Sequence, residues 1–212
     1  MVRAEDFRQA FLKMSEVFEE QKEYLSELDA AMGDGDHGLS MARGFKAVAE
    51  RLAAAPASSE TDIRALCTTV GTVLAGSIGG ATGPIFGTLF LRWGSHAKGK
   101  AAVGTAELAQ MFDAALQGVQ TIGKAQPGDK TMVDALAPAA QAVRAAALEG
   151  LSPREALIRA AEAARRGAEA TKSMQATKGR ARYQGEKSIG HMDAGAMSLT
   201  LIVETLSQAV AD

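Results

Sequence analysis

Apolar residues recur along the chain at spacings of three, four and seven. Phe7, Phe11, Met14, Phe18, Leu25 and Leu28 form one such stripe, and Leu108, Met111, Phe112, Ala115, Val119 and Ile122 form another. This period places the apolar side chains on one face of an α-helix. No sustained alternation of β-branched and aromatic residues with polar ones suggests strands. Glycine and proline punctuate the pattern into eight predicted helices, near 4–30, 38–54, 61–77, 84–97, 105–122, 131–148, 153–175 and 194–211.

The connections between these helices fall into two kinds. Those after the second, fourth and sixth, roughly 55–60, 98–104 and 149–152, are short and carry no dense chemistry. Those after the first, third, fifth and seventh read MGDGDHGLS, SIGGATGP, GKAQPGDKTM and ATKGRARYQGEKSIGHMDAG, and they hold almost every unusual residue cluster. In an up-and-down bundle alternate connections emerge at the same end, so the rich ones are expected to converge on one mouth and the plain ones to close the other.

Composition narrows the class. A chain of 212 residues suits one hydrophobic core, so a single domain over 1–212 is expected. With 23 basic and 25 acidic residues well mixed, there is no basic field for nucleic acid and no polybasic membrane patch. Cys67 is the only cysteine, which excludes an internal disulfide and fits a reducing, cytoplasmic setting. The N-terminus has acidic residues within a few positions and no apolar run, so no secretory signal is read. Cys67 to Leu91 is uncharged, but Gly79-Gly80-Ala81-Thr82-Gly83-Pro84 interrupts it, which favours two buried helices over a membrane span.

The chemistry of the rich connections starts with Asp29, Asp34 and Asp36, three carboxylates within eight residues. Hard oxygen ligands this close suit Mg²⁺ or Ca²⁺. A calcium-binding EF-hand is excluded: counted from Asp34, the required glycine is Leu39 and the bidentate glutamate is Phe45. Magnesium needs few carboxylates because water and substrate phosphates fill its remaining positions. The plainer alternative is that Asp34 or Asp36 caps the next helix. His37 is either a nucleotide contact, an orienting partner of an aspartate or a solvated loop residue.

Gly79 to Thr82 approaches a helix N-terminus, where free N–H groups and the helix dipole favour phosphate. It is no Walker A loop, since Lys followed by Ser or Thr is missing. Pro127-Gly128-Asp129-Lys130-Thr131 reads equally well as a tight turn before a helix, with Met132 as core filler. The seventh connection, roughly eighteen residues long, carries Lys178, Arg180, Arg182, Lys187, His191 and Asp193, and loops of that length in compact domains are commonly functional. Its arginines suit phosphate, whereas Asp193 can serve simply as an N-cap. Carboxylates for Mg²⁺, a glycine turn at a helix start and a basic lid together describe a nucleotide–metal site, and phosphoryl transfer there needs no activated nucleophile on the protein.

At GDGDHGLSMARGF the sequence resembles the L subunits of bacterial dihydroxyacetone kinases (DhaL) and the C-terminal domain of single-chain dihydroxyacetone kinases. GGATGPIFGTLF, GKAQPGDKTM and KGRARYQGEKSIGHMDAGA follow in the family's order, so the resemblance covers nearly the whole chain. It implies an all-α fold, an eight-helix up-and-down barrel with ADP or ATP held at one end through two Mg²⁺ ions. It assigns metal binding to Asp29, Asp34 and Asp36, and a catalytic role to these three and Arg180. Nucleotide contacts carry over to His37, Leu39, Ser40, Gly79, Gly80, Ala81, Thr82, Gly123, Met132, Arg180, Asp193, Ala194 and Gly195. Gly35 stands where the family often has Ala, and Thr82 where Ser is usual, which keeps the hydroxyl.

The resemblance also implies partners. Dihydroxyacetone sits on a separate DhaK-like subunit, so this chain is half an active site and inactive alone. A DhaM-like phosphohistidine protein of the phosphotransferase system is the expected donor. Alternatives are a subunit of an ATP-dependent kinase for erythrulose or another short ketose, or a nucleotide-state sensor that docks on a transcription regulator. Neither direct nucleic-acid nor membrane binding is expected.

Overall fold

The computed structural model describes residues 1–54 and 62–210. Eight α-helices follow in order among the described residues: α1 Ala4–Ala30, α2 His37–Ala53, α3 Ile63–Ser77, α4 Thr82–His96, α5 Thr105–Gly123, α6 Val133–Leu148, α7 Pro153–Ala170 and α8 Ala194–Ala209. Each packs against its successor in the chain, and α8 packs on both α7 and α1, which closes the ring into an all-α barrel. The expected connection at 55–60, position 61 and position 211 lie outside the described residues.

Several expected boundaries are corrected. The fourth helix starts at Thr82, not 84, because proline is tolerated within a helix's first turn, where its missing N–H has no intrahelical partner. The sixth starts at Val133, since Thr131 and Asp134 form a side-chain-bonded turn ahead of it. The seventh ends at Ala170 and passes into a 3-10 turn at Thr171–Ser173. The seventh connection, read as lacking helix, contains a further 3-10 segment at Ala181–Ser188, broken by left-handed backbone at Gly185. One short antiparallel ribbon was also unforeseen: Val2–Arg3 (β1) pairs with Ala102–Val103 (β2), two residues each, too short to produce an alternating pattern.

The predicted stripes face the core except at Ile122, near the end of α5, which is 46% exposed. Phe7, Phe11, Met14, Phe18 and Leu25 of α1 are buried, and Phe18 stacks on Phe45 of α2 with ring centroids 4.4 Å apart. Phe11, Phe90, Trp93 and Phe112 continue the cluster through edge-on and tilted ring contacts. Elsewhere small residues bring helices together. A Cβ on either Gly71 of α3 or Gly87 of α4 would lie 2.7 Å from the other's carbonyl oxygen, and a Cβ on Gly167 of α7 would meet Asp134 O at 2.1 Å. Alanines line the buried α6–α7 contact for the same reason. No described helix is long and apolar enough to cross a membrane.

Among the described residues, the start of α1 and the connections before α5 and α7 carry ordinary caps at one end of the barrel. Arg3 N donates to Asp6 at 2.7 Å, Gly104 N to Glu107 at 3.0 Å, and Ser152 and Glu155 cap each other reciprocally. Thr105 Oγ1 donates to Leu151 O at 2.7 Å, tying two of these connections to each other. The opposite end is open.

Candidate functional site

The rich connections do converge. A cavity of about 580 Å³ is walled by residues of the α1–α2, α3–α4, α5–α6 and α7–α8 connections and the helix ends beside them. That volume suits a small-molecule ligand of nucleotide size.

On one wall, Asp29 projects from the last turn of α1, and Asp34 and Asp36 from the turn that follows. Carboxylate oxygens of all three lie within 4.8 Å of one another. Asp36 occupies the N-cap position of α2 but its side chain makes no cap hydrogen bond. The carboxylate serving that helix start is Asp29, which accepts from His37 N at 3.3 Å. Three like charges this close repel unless a cation lies among them, and an oxygen-only set matches a hard divalent ion. The residues therefore fit magnesium. Gly38 makes the turn possible: a Cβ there would lie 1.8 Å from Lys22 O of α1.

His37 begins α2 and is buried, with Nε2 2.8 Å from Ser198 Oγ of α8. Burial pushes its pKa down to about 4, outweighing the opposing pull of Asp29. The imidazole is thus neutral, a hydrogen-bonding wall residue.

The glycine turn precedes α4, whose N-terminal end borders the cavity. Gly83 is dictated by packing, since a Cβ there would meet Ile78 O at 2.2 Å. Gly79 and Gly80 are different. A Cβ on either would have no protein atom within 4 Å, and of the two only Gly80 has left-handed backbone, at φ +64°. Packing gives no reason for glycine at 79, and the turn opens on space beside the carboxylates. A cradle of this form at a helix N-terminus suits phosphate.

The third wall is the α5–α6 turn. Lys130 is buried, at 1% exposure, and has left-handed backbone with φ +60°. Asp134 accepts from Gly128 N at 2.5 Å and from Thr131 N at 2.7 Å, which locks the turn. The α7–α8 connection forms the fourth wall and a lid. Arg180 pairs with Asp34, so its guanidinium lies against the carboxylate cluster. Asp193 caps α8, accepting from Ala196 N at 2.8 Å. Burial raises its pKa to about 7, against the lowering effect of the Ala196 N–H.

Beside the polar cavity lies a second of about 300 Å³, sharing Ala81, Ile85, Thr131 and Met132 with the first. Val119, Ile122 and Val133 make it mainly apolar, a shape for a flat ring.

Asp29, Asp34, Asp36, His37, Ser40, Gly79, Gly80, Ala81, Thr82, Met132, Arg180, Asp193, Ala194 and Gly195 line the first cavity, and Gly123 and Met132 the second. Leu39 lies outside both, its side chain 59% exposed. Sequence reasoning missed Lys130, Arg43 and Ser198. Arg43 stands seven residues after Asp36, two helical turns along the same face, a spacing that could have been noticed. Ser198 sits inside an apolar helix, and Lys130 looked like part of an ordinary turn; neither gives a local signal.

Residues 31–208 match the DAK2 domain family. The chain is 42% identical over 197 residues to the ADP-binding subunit DhaL of the PEP-dependent dihydroxyacetone kinase of Escherichia coli K12, covering 93% of this chain and 92% of that one. It is 37% identical over 201 residues to the ADP-binding subunit DhaL of PEP-dependent dihydroxyacetone kinase 2 of Listeria innocua, covering 93% and 92%. Among solved structures, the dihydroxyacetone kinase from C. freundii in complex with AMP-PNP and Mg²⁺ superposes with a TM-score of 0.71 at 25% identity, over 95% of this chain and 33% of that one. This chain thus spans about a third of that structure's chain.

Proposed function

The chain belongs to the DAK2 domain family, and from that premise we propose that it is the nucleotide-carrying subunit of a dihydroxyacetone kinase. It is a phosphotransferase component, a single cytoplasmic domain that works only with a separate DhaK-like subunit holding the ketose. The observation that carries this reading is the convergence of three carboxylates, an unfilled glycine cradle and a basic lid on one cavity.

In this reading Asp29, Asp34 and Asp36 hold two magnesium ions. Ions held there would supply charge neutralisation for the nucleotide phosphates. The Gly79–Thr82 turn brings backbone N–H groups to the phosphates, and the adjoining apolar cavity, with Gly123 and Met132, takes the adenine ring. Arg180 rests against Asp34 at the mouth of the cavity, and its planar donors would match the oxygens of the transferring phosphoryl group.

Neutral His37, braced by Ser198, orients the wall without drawing off negative charge. The bond broken is that between the terminal phosphorus and the ADP oxygen, and the bond formed joins phosphorus to the ketose hydroxyl oxygen, whose proton leaves on the partner subunit. The donor in this reading is a DhaM-like phosphohistidine protein acting on ADP kept by this chain; that the bacterial relatives are named ADP-binding subunits of PEP-dependent kinases supports a donor other than free ATP.

The test is to denature freshly purified protein that has seen no added nucleotide, then identify the released small molecules by chromatography and mass spectrometry, with magnesium quantified alongside. Stoichiometric ADP with magnesium is expected. Release of none, with ATP and Mg²⁺ then binding reversibly, would move the reading to an ATP-exchanging subunit. No binding at all would end the nucleotide reading.

A further inference from the structure

We propose that Lys130 is a positioning residue whose single ammonium fastens both roots of the Arg180-bearing lid. The lid leaves the barrel at Thr171 and returns at Asp193. Lys130 Nζ donates to Thr171 O at 2.6 Å and also to His191 O, so one charged group holds two points of the chain twenty residues apart. The side chain is among the largest fully buried ones. A buried ammonium is costly unless its donors are satisfied: burial pushes the Lys130 pKa down, Asp193 and Asp134 oppose that shift only in part, and the direct partners are lid carbonyls.

The backbone points the same way. Lys130 adopts φ +60°, where glycine or asparagine is the usual occupant. A glycine would relieve that strain, and a lysine keeps it, so the side chain is what the position retains.

Further ties reinforce the roots, while Arg180 at the tip pairs with Asp34. Thr177 N donates to Asp129 O at 3.2 Å and Thr177 Oγ1 to the Asp129 carboxylate. Gly190 N donates to Lys172 O at 2.7 Å, and Asp193 N to Thr171 Oγ1 at 2.9 Å. Between them runs the tip with Arg180, flanked by Gly179, Gly185 and Gly190, all left-handed and with open space where a Cβ would be. The result is a loop hinged on fixed roots. Fixing the ends removes much of the chain entropy that closure over a ligand would otherwise cost.

The test compares wild type, Lys130→Met and Lys130→Gln, stripped of metal and nucleotide, under limited trypsin digestion with the cut sites identified by mass spectrometry. Lys130→Met keeps the length and apolar bulk of the side chain but removes the ammonium. Cleavage after Lys178, Arg180, Arg182 and Lys187 is expected to rise at least about tenfold, the factor given by losing one charged hydrogen bond of ordinary strength, while cleavage after Arg144 in α6 stays at the wild-type rate. Lys130→Gln keeps a polar donor but removes the charge and should give a smaller, equally lid-selective rise, which decides the matter if Lys130→Met does not fold.

The proposal is overturned if a folded Lys130→Met is cut in the lid at the wild-type rate, if lid and helix cuts rise together, or if Lys130→Gln leaves the lid unaffected when it alone folds. A second readout rests on the nucleotide reading above: ADP with Mg²⁺ should dissociate about tenfold faster from Lys130→Met than from wild type. Should wild type bind no nucleotide, that reading falls, and the digestion still decides the role of Lys130.

Discussion

The two ends of the barrel are built from the same kind of parts and use them differently. At the closed end, among the described residues, capping groups are consumed locally: Ser152 with Glu155, Gly104 N with Glu107, Arg3 N with Asp6. At the open end Asp36 stands at a helix start without capping it, and Gly79 has neither a packing nor a backbone reason to be glycine. Polar groups that stabilise a fold find partners within it. Those kept for a ligand leave space, unspent charge and strained backbone instead.

The largest break in this comparison should come from Asp36→Asn. Removing one of three clustered carboxylates is expected to weaken Mg²⁺-dependent nucleotide binding at least about a hundredfold, read by titration calorimetry. Thermal stability without metal should hold or rise slightly, because a like charge has gone. A fall in stability with unchanged binding would make Asp36 an ordinary structural residue.

A smaller effect is expected from Asp193→Asn. The raised pKa of Asp193 means that between the ordinary 3.8 and about 7 the folded chain keeps a proton that the unfolded chain has lost. Its contribution to stability is therefore complete at the acid side of that window, falls as pH rises through it, and is level above. Asparagine still caps α8 but does not ionise. Nucleotide-free wild type should lose roughly 4 kcal/mol relative to Asp193→Asn across the window, in denaturant titrations at a series of pH values. Parallel pH profiles for the two proteins would refute the assignment.

The smallest sharpens the other side. Ser152→Ala removes a reciprocal cap at the closed end and should cost about 1 kcal/mol of stability with no change in nucleotide affinity. A change in affinity would mean that the ends are coupled.

Much of this was legible in the chain itself. The helical stripes and the glycine and proline punctuation located eight helices to within a few residues, because periodicity and turn chemistry are local. Counting connections placed the rich loops at one end, since consecutive antiparallel helices leave little choice about which end each turn occupies. The three aspartates stood out because metal chemistry needs donors of one type close together.

Tertiary structure decided what depends on residues far apart. The hydrogen bond between His37 and Ser198 spans 161 positions, and the ring closes where α8 meets α1. Only packing shows that Asp29, and not Asp36, serves the start of α2, that the Leu39 side chain turns outward, and that a lysine in a plain-looking turn is buried beneath both roots of the lid. Local sequence sets which backbone states are cheap. It cannot state which distant carbonyl will meet a side chain, because that contact exists only after the loops have been brought to the same mouth.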